Sequence, residues 1–552
     1  MSNKKPVLQS KLALQSKLAL LGDEAVALGA IHAGISAAYG YPGTPSTEIL
    51  QYLINESKKD GFAARWCSNE KTAMEAALGV SFSGCRCLVT MKHVGLNVAS
   101  DPFINSALLR IKGGLVVVVA DDHGMHSSQN EQDSRFYANF AMIPCLEPRN
   151  QQEAYNMVRE AFDVSECFNI PVLLRLVTRL AHARAAVIPR SSRSKNRLSK
   201  TTEKNNWMLL PSFARINYES LLDKQKVLEE WSFQHPVNVL SGEKSDLAVI
   251  TSGLGGNYYE ENLEDFLAMR KKQGKKAPLH LHIGAYPLPE KKIRKLFENA
   301  GEFLVIEEGQ NFIAQKIFGI TGNIEVKPVI KAGELDPDNV RKTLGLPPRK
   351  SVTAFTGSLA LRHPVLCQGC PHNDSYNALN KAVAKIDPRP GHPGIGITSD
   401  IGCYSLGAYP PLSAIESIVC MGACVGMAKG AMDAGLKYAI AVIGDSTFIH
   451  SGITPLIDAV DANSKMTLII LDNSSIAMTG CQSTILPSEK LKNLITGCGV
   501  NPEHILELEA KHALVDENAE KLKTEIEYEG VSVVIFRRVC LEAFRKNKKE
   551  IF

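Results

Sequence analysis

Short apolar runs that end in glycine or a carboxylate are the feature that most restricts the fold of this sequence. "LVVVVADD" begins at Leu115, "YAIAVIGD" at Tyr438 and "MTLIILDN" at Met466. Runs of this length, bounded by turn residues, are typical of strands buried on both faces of a parallel sheet. Segments with helical spacing separate them. The sequence therefore predicts an α/β fold of doubly wound, parallel-sheet domains.

Changes in composition divide the chain into three α/β units. A chain of 552 residues is expected to form several domains, because a single core stops growing near ~250–300 residues. Basic and hydroxyl residues without apolar periodicity fill 189–206, and a proline-bearing stretch follows Leu346. The predicted parts are an N-terminal extension (1–21), three domains (22–188, 241–346 and 365–552) and two linkers (189–240 and 347–364).

Charge and hydropathy exclude several classes of function. The 62 basic and 58 acidic residues give a net charge of +4, which argues against a nucleic-acid groove. The apolar runs are far shorter than the ~18 residues of a membrane helix, and the N-terminus does not have the pattern of a secretion signal. The 13 cysteines are scattered without a disulfide framework. We therefore expect a cytoplasmic protein whose partners are small molecules and other proteins.

Polar residues follow two predicted strands of the third unit. Asp445 comes directly after Gly444, and Asn473 follows the next apolar run. Because the carboxyl ends of parallel strands meet at one rim of a sheet, we expect these two side chains to lie close together. A carboxylate, an amide and a backbone carbonyl would leave room in an Mg²⁺ shell for diphosphate oxygens. The helix start "STFIHSGI" would add amides and hydroxyls for the anion.

Eight stretches, in order along the chain, carry a family resemblance. They are "YGYPGTPSTEIL", "NEKTAMEAALG", "VTMKHVGLNVASDP", "GGLVVVVADDHGMHSSQNEQDSR", "CQGCPH", "SDIGCYSL", "GDSTFIHSGI" and "LDNSSIAMTGCQ". From 22 to 539 the chain resembles the α subunit of indolepyruvate:ferredoxin oxidoreductase, a thiamine diphosphate-dependent 2-oxoacid:ferredoxin oxidoreductase. The resemblance implies a pyrimidine-binding domain, a transketolase C-terminal-like domain and a diphosphate-binding domain, in that order. This order agrees with the three units.

The resemblance also implies roles for individual residues. Glu70 would activate the pyrimidine of thiamine diphosphate, although a glutamate in a first helical turn is also favoured by the helix dipole alone. Thr44 would approach the thiazolium and the substrate. Mg²⁺ would be held by Asp445, Asn473 and the carbonyl of Ser475. The full set of implied cofactor contacts is Gly43, Thr44, Glu70, Cys370, His372, Asp400, Gly402, Cys403, Met421, Gly444, Asp445, Ser446, Thr447, Asn473, Ile476, Thr479, Gly480 and Gln482.

Some of these candidates keep a second interpretation. His450, our third catalytic candidate, and His93 could move protons near the substrate, or they could be hydrogen-bonded structural imidazoles. Met421 could support the cofactor or pack within a helix. Residues 126–133, "HSSQNEQD", could reach an active site across a subunit boundary or form a solvated loop. Ser446 stands where many thiamine enzymes have a second glycine, and Gln368 where the family usually has proline.

The cysteines determine whether this chain can bind an iron-sulfur cluster that accepts electrons. The sequence contains no C-x-x-C-x-x-C run, so we expect no 4Fe-4S cluster bound by that motif in this chain. The ferredoxin-like module that relatives carry after the last strand is not recognisable. Cys367-x-x-Cys370 could be half of a zinc site or a redox pair, but no second ligand pair follows at suitable spacing. We therefore expect the clusters to lie outside this chain.

The function that the sequence predicts is oxidative decarboxylation of an aryl 2-oxoacid, such as indolepyruvate, to acyl-CoA and CO2. Electrons would pass to ferredoxin through clusters outside this chain. The implied partners are coenzyme A, a smaller β subunit and a ferredoxin or cluster-bearing subunit, in a dimer or an α2β2 assembly. Two alternatives stay open: a non-redox 2-oxoacid decarboxylase or carboligase, and a non-catalytic protein that keeps the fold.

Overall fold

The chain forms two compact units, residues 1–66 with 70–350 and residues 67–69 with 351–552. The structure, a computed structural model, describes residues 17–199, 204–321, 326–328, 333–349, 365–392 and 394–549. The N-terminal extension before residue 17 and most of the linker predicted at 347–364 lie outside these ranges. Among the described residues, none of the helices is both long enough and apolar enough to cross a bilayer.

The described residues of the first unit form three sheets, of seven, five and two strands, together with helices. Its strands are β1 (Leu18–Leu21), β2 (Ala37–Gly40), β3 (Ala63–Trp66), β4 (Cys87–Lys92), β5 (Leu115–Asp121), β6 (Cys145–Leu146), β7 (Val172–Val177), β8 (Arg184–Val187), β9 (Leu240–Ser241), β10 (Leu247–Ser252), β11 (Leu279–Ile283), β12 (Ala285–Tyr286), β13 (Glu302–Ile306) and β14 (Val326–Pro328). Its helices are α1 (Gly22–His32), α2 (Thr47–Asp60), α3 (Glu70–Phe82), α4 (His93–Val98), α5 (Ser100–Ser106), α6 (Arg135–Ala141), α7 (Gln151–Phe168), α8 (Thr178–His182), α9 (Pro211–Gln234), α10 (Leu254–Lys272), α11 (Glu290–Asn299), α12 (Phe312–Thr321) and α13 (Pro337–Thr343).

Most of the strands before residue 188 belong to one seven-stranded sheet. Its strand order is β12-β6-β7-β5-β4-β2-β3, and the pairs from β6 to β3 are parallel. Strands β4, β5 and β7 are buried along their whole length, as their unbroken apolar runs predict. The edge strand β12 comes from the middle of the chain and pairs antiparallel with β6. The middle segment therefore contributes one strand to the seven-stranded sheet.

The middle segment has its own five-stranded sheet, in the order β14-β13-β10-β11-β9. Part of the range predicted as a linker, 189–240, is in fact the 24-residue helix α9. Its four buried positions follow a helical spacing that the polar residues between them conceal; they are Asn217, Leu221, Leu228 and Ser232. Strand β1, at the end of the predicted N-terminal extension, pairs antiparallel with β8.

The second unit is built on one parallel sheet, in the order β16-β15-β17-β18-β22-β21. Its strands are β15 (Ile395–Ser399), β16 (Ser417–Ile418), β17 (Tyr438–Gly444), β18 (Met466–Asp472), β21 (Ile505–Glu509) and β22 (Ser532–Arg537), and a separate hairpin joins β19 (Ser475–Ile476) to β20 (Gln482–Ser483). Its helices are α14 (Pro371–Ile386), α15 (Ala423–Asp433), α16 (Asp445–Thr447), α17 (Ile453–Asp461), α18 (Ser488–Gly497), α19 (Val515–Ile526) and α20 (Leu541–Lys549).

Successive side chains of the central strands enter two different cores. Ile440 and Val442 of β17 belong to the core beneath α14 and α19, whereas Ala439 and Ala441 belong to the core beneath α15, α17 and α18. This alternation follows from the two-residue period of a strand. A sheet covered by helices on both faces is doubly wound, so the predicted fold class is confirmed.

Candidate active site

The carboxyl ends of β17 and β18 bring two acids together in the second unit. The parallel register pairs Gly444 with Leu471, so the next residues, Asp445 and Asp472, stand side by side. Both are buried. Burial, and then the charge of Asp472, raises the pKa of the Asp445 carboxyl well above its usual range. Two buried carboxyl groups therefore meet at this rim of the sheet.

The hydrogen bonds of this acid pair are incomplete. The Oδ1 atom of Asp472 accepts from the Ser474 amide at 3.2 Å and from the Ser488 hydroxyl at 2.8 Å. Among the described residues, its Oδ2 atom and the buried hydroxyl of Ser475 make no hydrogen bond, although the Nε atom of Arg537 lies 3.4 Å from that Oδ2 atom. Buried oxygens without partners are costly, and oxygen ligands are what Mg²⁺ prefers. The residues present therefore fit a divalent cation.

Asn473 is held in a fixed orientation beside the acids. Its amide nitrogen lies 3.2 Å from the Nε2 atom of His372, and its Oδ1 atom accepts from the Ser475 amide at 3.0 Å. Complete burial lowers the pKa of His372 to about 4, so the imidazole is neutral and can accept the hydrogen bond. The structure thus brings Asp445, Asn473, Ser475 and His372 together, as the sequence predicts.

The β19–β20 hairpin closes a loop next to these residues. Ile476 pairs with Gln482. The Thr479 hydroxyl donates to the side chain of Gln482 at 2.6 Å, and the Gln482 amide returns a bond to the Thr479 carbonyl at 2.7 Å. Gly480, at φ +118°, takes a conformation that favours glycine. Thr479, Gly480 and Gln482 therefore form one self-bonded turn.

A second set of residues predicted from the sequence, among them Asp400, Gly402 and Gly444, surrounds the aromatic ring of Tyr404. Its hydroxyl donates to Asp400, and a Cβ atom placed on Gly402 or Gly444 would lie 2.3 or 2.6 Å from the ring. Only glycine therefore allows this ring to lie against both turns. Asp400 also accepts from the amide of Gly422 at 2.9 Å, and burial raises the pKa of its carboxyl to about 6.

The remaining predictions in the second unit lie on nearby segments. Thr447 is buried and donates to the Ile401 carbonyl at 3.2 Å. His450 is buried in a π-helical turn, Phe448–Gly452, with its Nδ1 atom 2.5 Å from the Ser451 hydroxyl. Met421 is half-buried and precedes α15, so it does not pack within that helix. Ser446 is half-buried in the first turn after β17.

Four cysteines from three separate segments of the sequence line one cavity of about 230 Å³. They are Cys367, Cys370, Cys403 and Cys540. No three of their sulfurs lie within 4.8 Å of one another, a spacing too wide for one zinc ion, whose bonds to sulfur are about 2.3 Å long. Burial raises the pKa of Cys370 to about 11 and of Cys403 to about 12.

The cavity brings together cysteines that the sequence argument did not consider as a group. The absence of a contiguous C-x-x-C-x-x-C run does not prevent this chain from offering four thiols to one cluster, because the fold joins a C-x-x-C pair to two remote cysteines. His372 and Asn473 line the same cavity, and the Cys540 amide donates to the Asn473 carbonyl at 3.0 Å. The cysteine cavity is therefore continuous with the predicted cofactor residues of this unit.

The first unit contains the other half of the predicted residues. Glu70 begins α3 and is buried, and a Cβ atom on Gly95 would lie 2.5 Å from its carboxylate. The side chain of Lys92 lies against Gly43 and interacts electrostatically with Glu70. Burial lowers the pKa of the Lys92 ammonium group to about 8. The Thr44 carbonyl accepts from the Ser127 hydroxyl at 3.0 Å.

His93 and the loop 126–133 are firmly held within the same unit. The Nδ1 atom of His93 accepts from the Asp122 amide at 3.2 Å, and its Nε2 atom lies 3.1 Å from Asn130. Because both ring nitrogens are engaged and burial lowers its pKa, His93 has the contacts of a structural imidazole. At the other end of the loop, Asp133 is buried against Arg135 and Arg175. The loop is therefore anchored rather than simply solvated.

Three residues of these sites were missed from the sequence. Asp472 stands beside the predicted Asn473 in "LDNSS", and only the register of β17 against β18 shows that it faces Asp445. Tyr404 directly follows a predicted cofactor contact, and Lys92 lies within a quoted motif. Each could have been noted as a polar residue at the end of a strand or in a turn, but Asp445 and Gly444, which Asp472 and Tyr404 contact, and Gly43, which Lys92 contacts, lie far away in the sequence.

Comparisons with known proteins show the family of this chain. The family described as pyruvate flavodoxin/ferredoxin oxidoreductase, thiamine diphosphate-binding, matches residues 28–244, and the thiamine pyrophosphate enzyme C-terminal TPP binding domain matches 400–536. The indolepyruvate oxidoreductase subunit IorA of Archaeoglobus fulgidus is 36% identical, with 95% of this chain and 86% of the relative covered. The chain belongs to the indolepyruvate oxidoreductase IorA family. It is thus an α subunit of the 2-oxoacid:ferredoxin oxidoreductases, which bind thiamine diphosphate.

Other relatives support membership of the IorA family. The IorA subunit of Pyrococcus horikoshii is 34% identical, again with 95% of this chain and 86% of the relative covered. Among solved structures, a 2-oxoglutarate:ferredoxin oxidoreductase from Magnetococcus marinus has a TM-score of 0.50 at 15% identity, covering 60% of this chain and 65% of that one. That likeness supports the fold alone.

Proposed function

We propose that this IorA-family subunit oxidatively decarboxylates an aryl 2-oxoacid of the indolepyruvate type. In the balanced reaction, one 2-oxoacid, one coenzyme A thiol and two oxidised ferredoxins give acyl-CoA, CO2, two reduced ferredoxins and a proton. The observation that carries the proposal is the meeting of Asp445, Asp472 and Asn473 at the ends of adjacent strands. It occurs in a chain that is about a third identical to indolepyruvate oxidoreductase subunits along 95% of its length.

The residues of the second unit would bind the cofactor through its diphosphate. Asp445, Asn473 and the carbonyl of Ser475 would hold Mg²⁺, and the cation would offset the repulsion between Asp445 and Asp472. The closed turn Thr479–Gln482 would limit the entry of water. When bound, thiamine diphosphate supplies the electron sink for loss of CO2 from a 2-oxoacid.

The residues of the first unit would control protons. Glu70, buried at the start of α3, would hold a proton on the aminopyrimidine ring, as its counterpart position in the family implies. Thr44, at the turn that enters α2, would position the substrate.

The cysteine cavity supplies a place for the single-electron acceptor that a ferredoxin-linked reaction requires. We include in the proposal a 4Fe-4S cluster held by Cys367, Cys370, Cys403 and Cys540. Four thiolates are the usual ligand set of such a cluster, and metal binding would ionise thiols whose pKa burial has raised. Coenzyme A, a smaller companion subunit and a ferredoxin are the proposed partners, in a dimer or α2β2 assembly.

The deciding experiment measures cofactor binding and turnover in the same preparations. The purified chain, with and without a companion small subunit, is titrated with thiamine diphosphate and Mg²⁺ and assayed with indolepyruvate, coenzyme A and a viologen dye. We expect Mg²⁺-dependent binding, and dye reduction that depends on coenzyme A. The variant Glu70→Gln should retain binding but lose ~10²- to 10⁴-fold in turnover, the usual contribution of a positioned proton-transfer group.

Glu75→Gln is the matched control, because Glu75 is exposed on the same helix and pairs only with Lys71 among the ion pairs of the described residues. Its turnover should equal that of the wild type. Indolepyruvate converted to CO2 and aldehyde, with no acyl-CoA and no dye reduction, would indicate the non-redox decarboxylase instead. A chain that binds no thiamine diphosphate would overturn the proposal.

A further inference from the structure

Three metal-ligating side chains from three helices converge in the first unit, away from the residues discussed above. Asp23 lies in the first turn of α1, Glu48 is the second residue of α2, and His182 ends α8. One ligand atom from each lies within 4.8 Å of the other two. The Nε2 atom of His182 is 3.5 Å from the Oε2 atom of Glu48.

The local packing explains why these residues meet. A Cβ atom on Gly22 would lie 2.2 Å from the Leu180 carbonyl oxygen. The first turn of α1 therefore lies against the backbone of α8, and only glycine allows this approach. Asp23 follows Gly22, and His182 is two residues beyond Leu180. The convergence is thus a consequence of how α1 and α8 pack.

Asp23 is the residue that points to a ligand. Its side chain is fully buried, at 0% exposure, and no described hydrogen-bond donor reaches either carboxylate oxygen. The Oε2 atom of Glu48 is also buried and makes no hydrogen bond among the described residues, and its ion-pair partner His182 lies 3.5 Å away. The charged groups that raise the pKa of Asp23, after burial itself, are the acids Glu48 and Glu24. A proton shared with Glu48 would engage one oxygen of Asp23 and leave the other without a partner, whereas a cation would be bound by all three side chains.

We propose that Asp23, Glu48 and His182 form a binding site for a first-row divalent metal ion, such as Mn²⁺ or Zn²⁺. Two carboxylates and one imidazole are a common ligand set for these ions. Ligands about 2 Å from one ion lie at most about 4 Å apart, so small side-chain movements would complete the site. Glu48 and His182 are 43% and 36% exposed, which gives the ion a path from solvent and leaves room for water ligands.

The ion would link the starts of α1 and α2 to the end of α8. Helix α2 begins three residues after Thr44, so the site would fix the helix that follows the proposed substrate turn. This inference does not depend on the proposed function, because it concerns a site that shares no residue with the thiamine diphosphate contacts.

The test uses Mn²⁺ alone with the full-length chain, without thiamine diphosphate. Mn²⁺ is suitable because it prefers oxygen and nitrogen ligands to the thiols of the cysteine cavity. Free Mn²⁺ is measured by electron paramagnetic resonance during titration. The variants Asp23→Asn and His182→Gln should each bind one Mn²⁺ per chain fewer than the wild type at micromolar concentration. Mn²⁺ should also raise the unfolding temperature of the wild type more than that of either variant.

His126→Gln is the matched control, since His126 is an exposed histidine of the same unit that lies 3.6 Å from a glutamate, Glu334. It should bind as many Mn²⁺ ions as the wild type. His182→Gln keeps the test valid if Asp23→Asn does not fold, because His182 is partly exposed. Equal Mn²⁺ stoichiometry in the wild type and in the folded variants would overturn the proposal and leave a carboxyl pair that shares a proton.

Discussion

Asp445 shows how a residue can destabilise the empty protein and be necessary for the bound state. Its carboxylate is buried beside Asp472. In Asp445→Asn the repulsion disappears, so the cofactor-free protein should gain about 1–3 kcal/mol in its free energy of unfolding. The same variant should lose the stabilisation that Mg²⁺ and thiamine diphosphate give the wild type. Thermal unfolding with and without both ligands checks both effects.

Asp461→Asn, an exposed aspartate at the end of α17, is the control and should leave both values unchanged. A variant at Asp445 that is less stable when empty, and is still stabilised by the ligands, would contradict the role of Asp445 in binding the cation.

The pKa of Asp400 makes stability depend on pH in a defined direction. Burial raises the pKa of its carboxyl to about 6, against about 3.9 in an unfolded chain. The folded state then binds this proton more tightly than the unfolded state. The proton on Asp400 therefore adds about 2–3 kcal/mol to the free energy of unfolding below pH ~4. This contribution is lost as the pH rises from ~4 to ~6.

Comparison of the wild type with Asp400→Asn isolates this effect from other titrating groups. Urea unfolding of the cofactor-free chain should show the wild type losing about 2–3 kcal/mol relative to the variant between pH 4 and pH 7. Asp458→Asn, whose side chain is 71% exposed on α17, should follow the wild type. Parallel curves for the wild type and Asp400→Asn would show that Asp400 does not titrate in this range.

At the scale of elements, the strand β12 ties the middle segment to the first sheet through a buried hydroxyl. Tyr286 donates to Glu147 at 2.6 Å and accepts from Arg135 at 3.3 Å. Tyr286→Phe would leave Glu147 one donor short in a buried site, at a cost of about 1–3 kcal/mol. Urea unfolding measures the loss. Tyr218→Phe, at an exposed tyrosine of α9, should have no effect, and equal stability of the two variants would contradict this role for the Tyr286 hydroxyl.

The elements that the sequence predicts are those whose signal is local. The sequences of β5, β17 and β18 are continuous, apolar and bounded by turn residues. The α/β class and the proximity of Asp445 to Asn473 could therefore be predicted from the sequence alone. Strand β12 is only two residues long, and its pairing with β6 is a long-range contact that no local pattern encodes. The helix α9 was missed because polar residues outnumber its buried positions.

The cysteines show the same limit at the level of the site. Cys367 and Cys370 are recognisable as a pair, but Cys403 and Cys540 join them only because the turn after β15 and the end of β22 lie at the same cavity. The domain boundaries and individual site roles remain predictions. The family could be predicted because both the residues of its motifs and the order of those motifs along the chain are specific.

For the whole molecule, the position of the cysteine cavity decides where electrons leave the chain. The proposed cluster would adjoin Asn473, whose carbonyl accepts from the Cys540 amide, so electron transfer would start within this subunit. After anaerobic reconstitution, the wild type should gain about four iron and four sulfide per chain in this cavity. Cys540→Ser should lose most of this iron and its absorbance, because one of the four thiolates is missing.

The same variant separates electron transfer from decarboxylation. Cys540→Ser should lose at least ~10-fold in viologen reduction while still releasing CO2 from indolepyruvate, since Glu70, Asp445 and Asn473 are unchanged and supply the proton transfer and cofactor contacts. Cys498→Ser, at a half-buried cysteine that does not line the cavity, should keep both activities. Full viologen reduction by a Cys540→Ser protein that has lost its iron would place the first electron acceptor outside this chain.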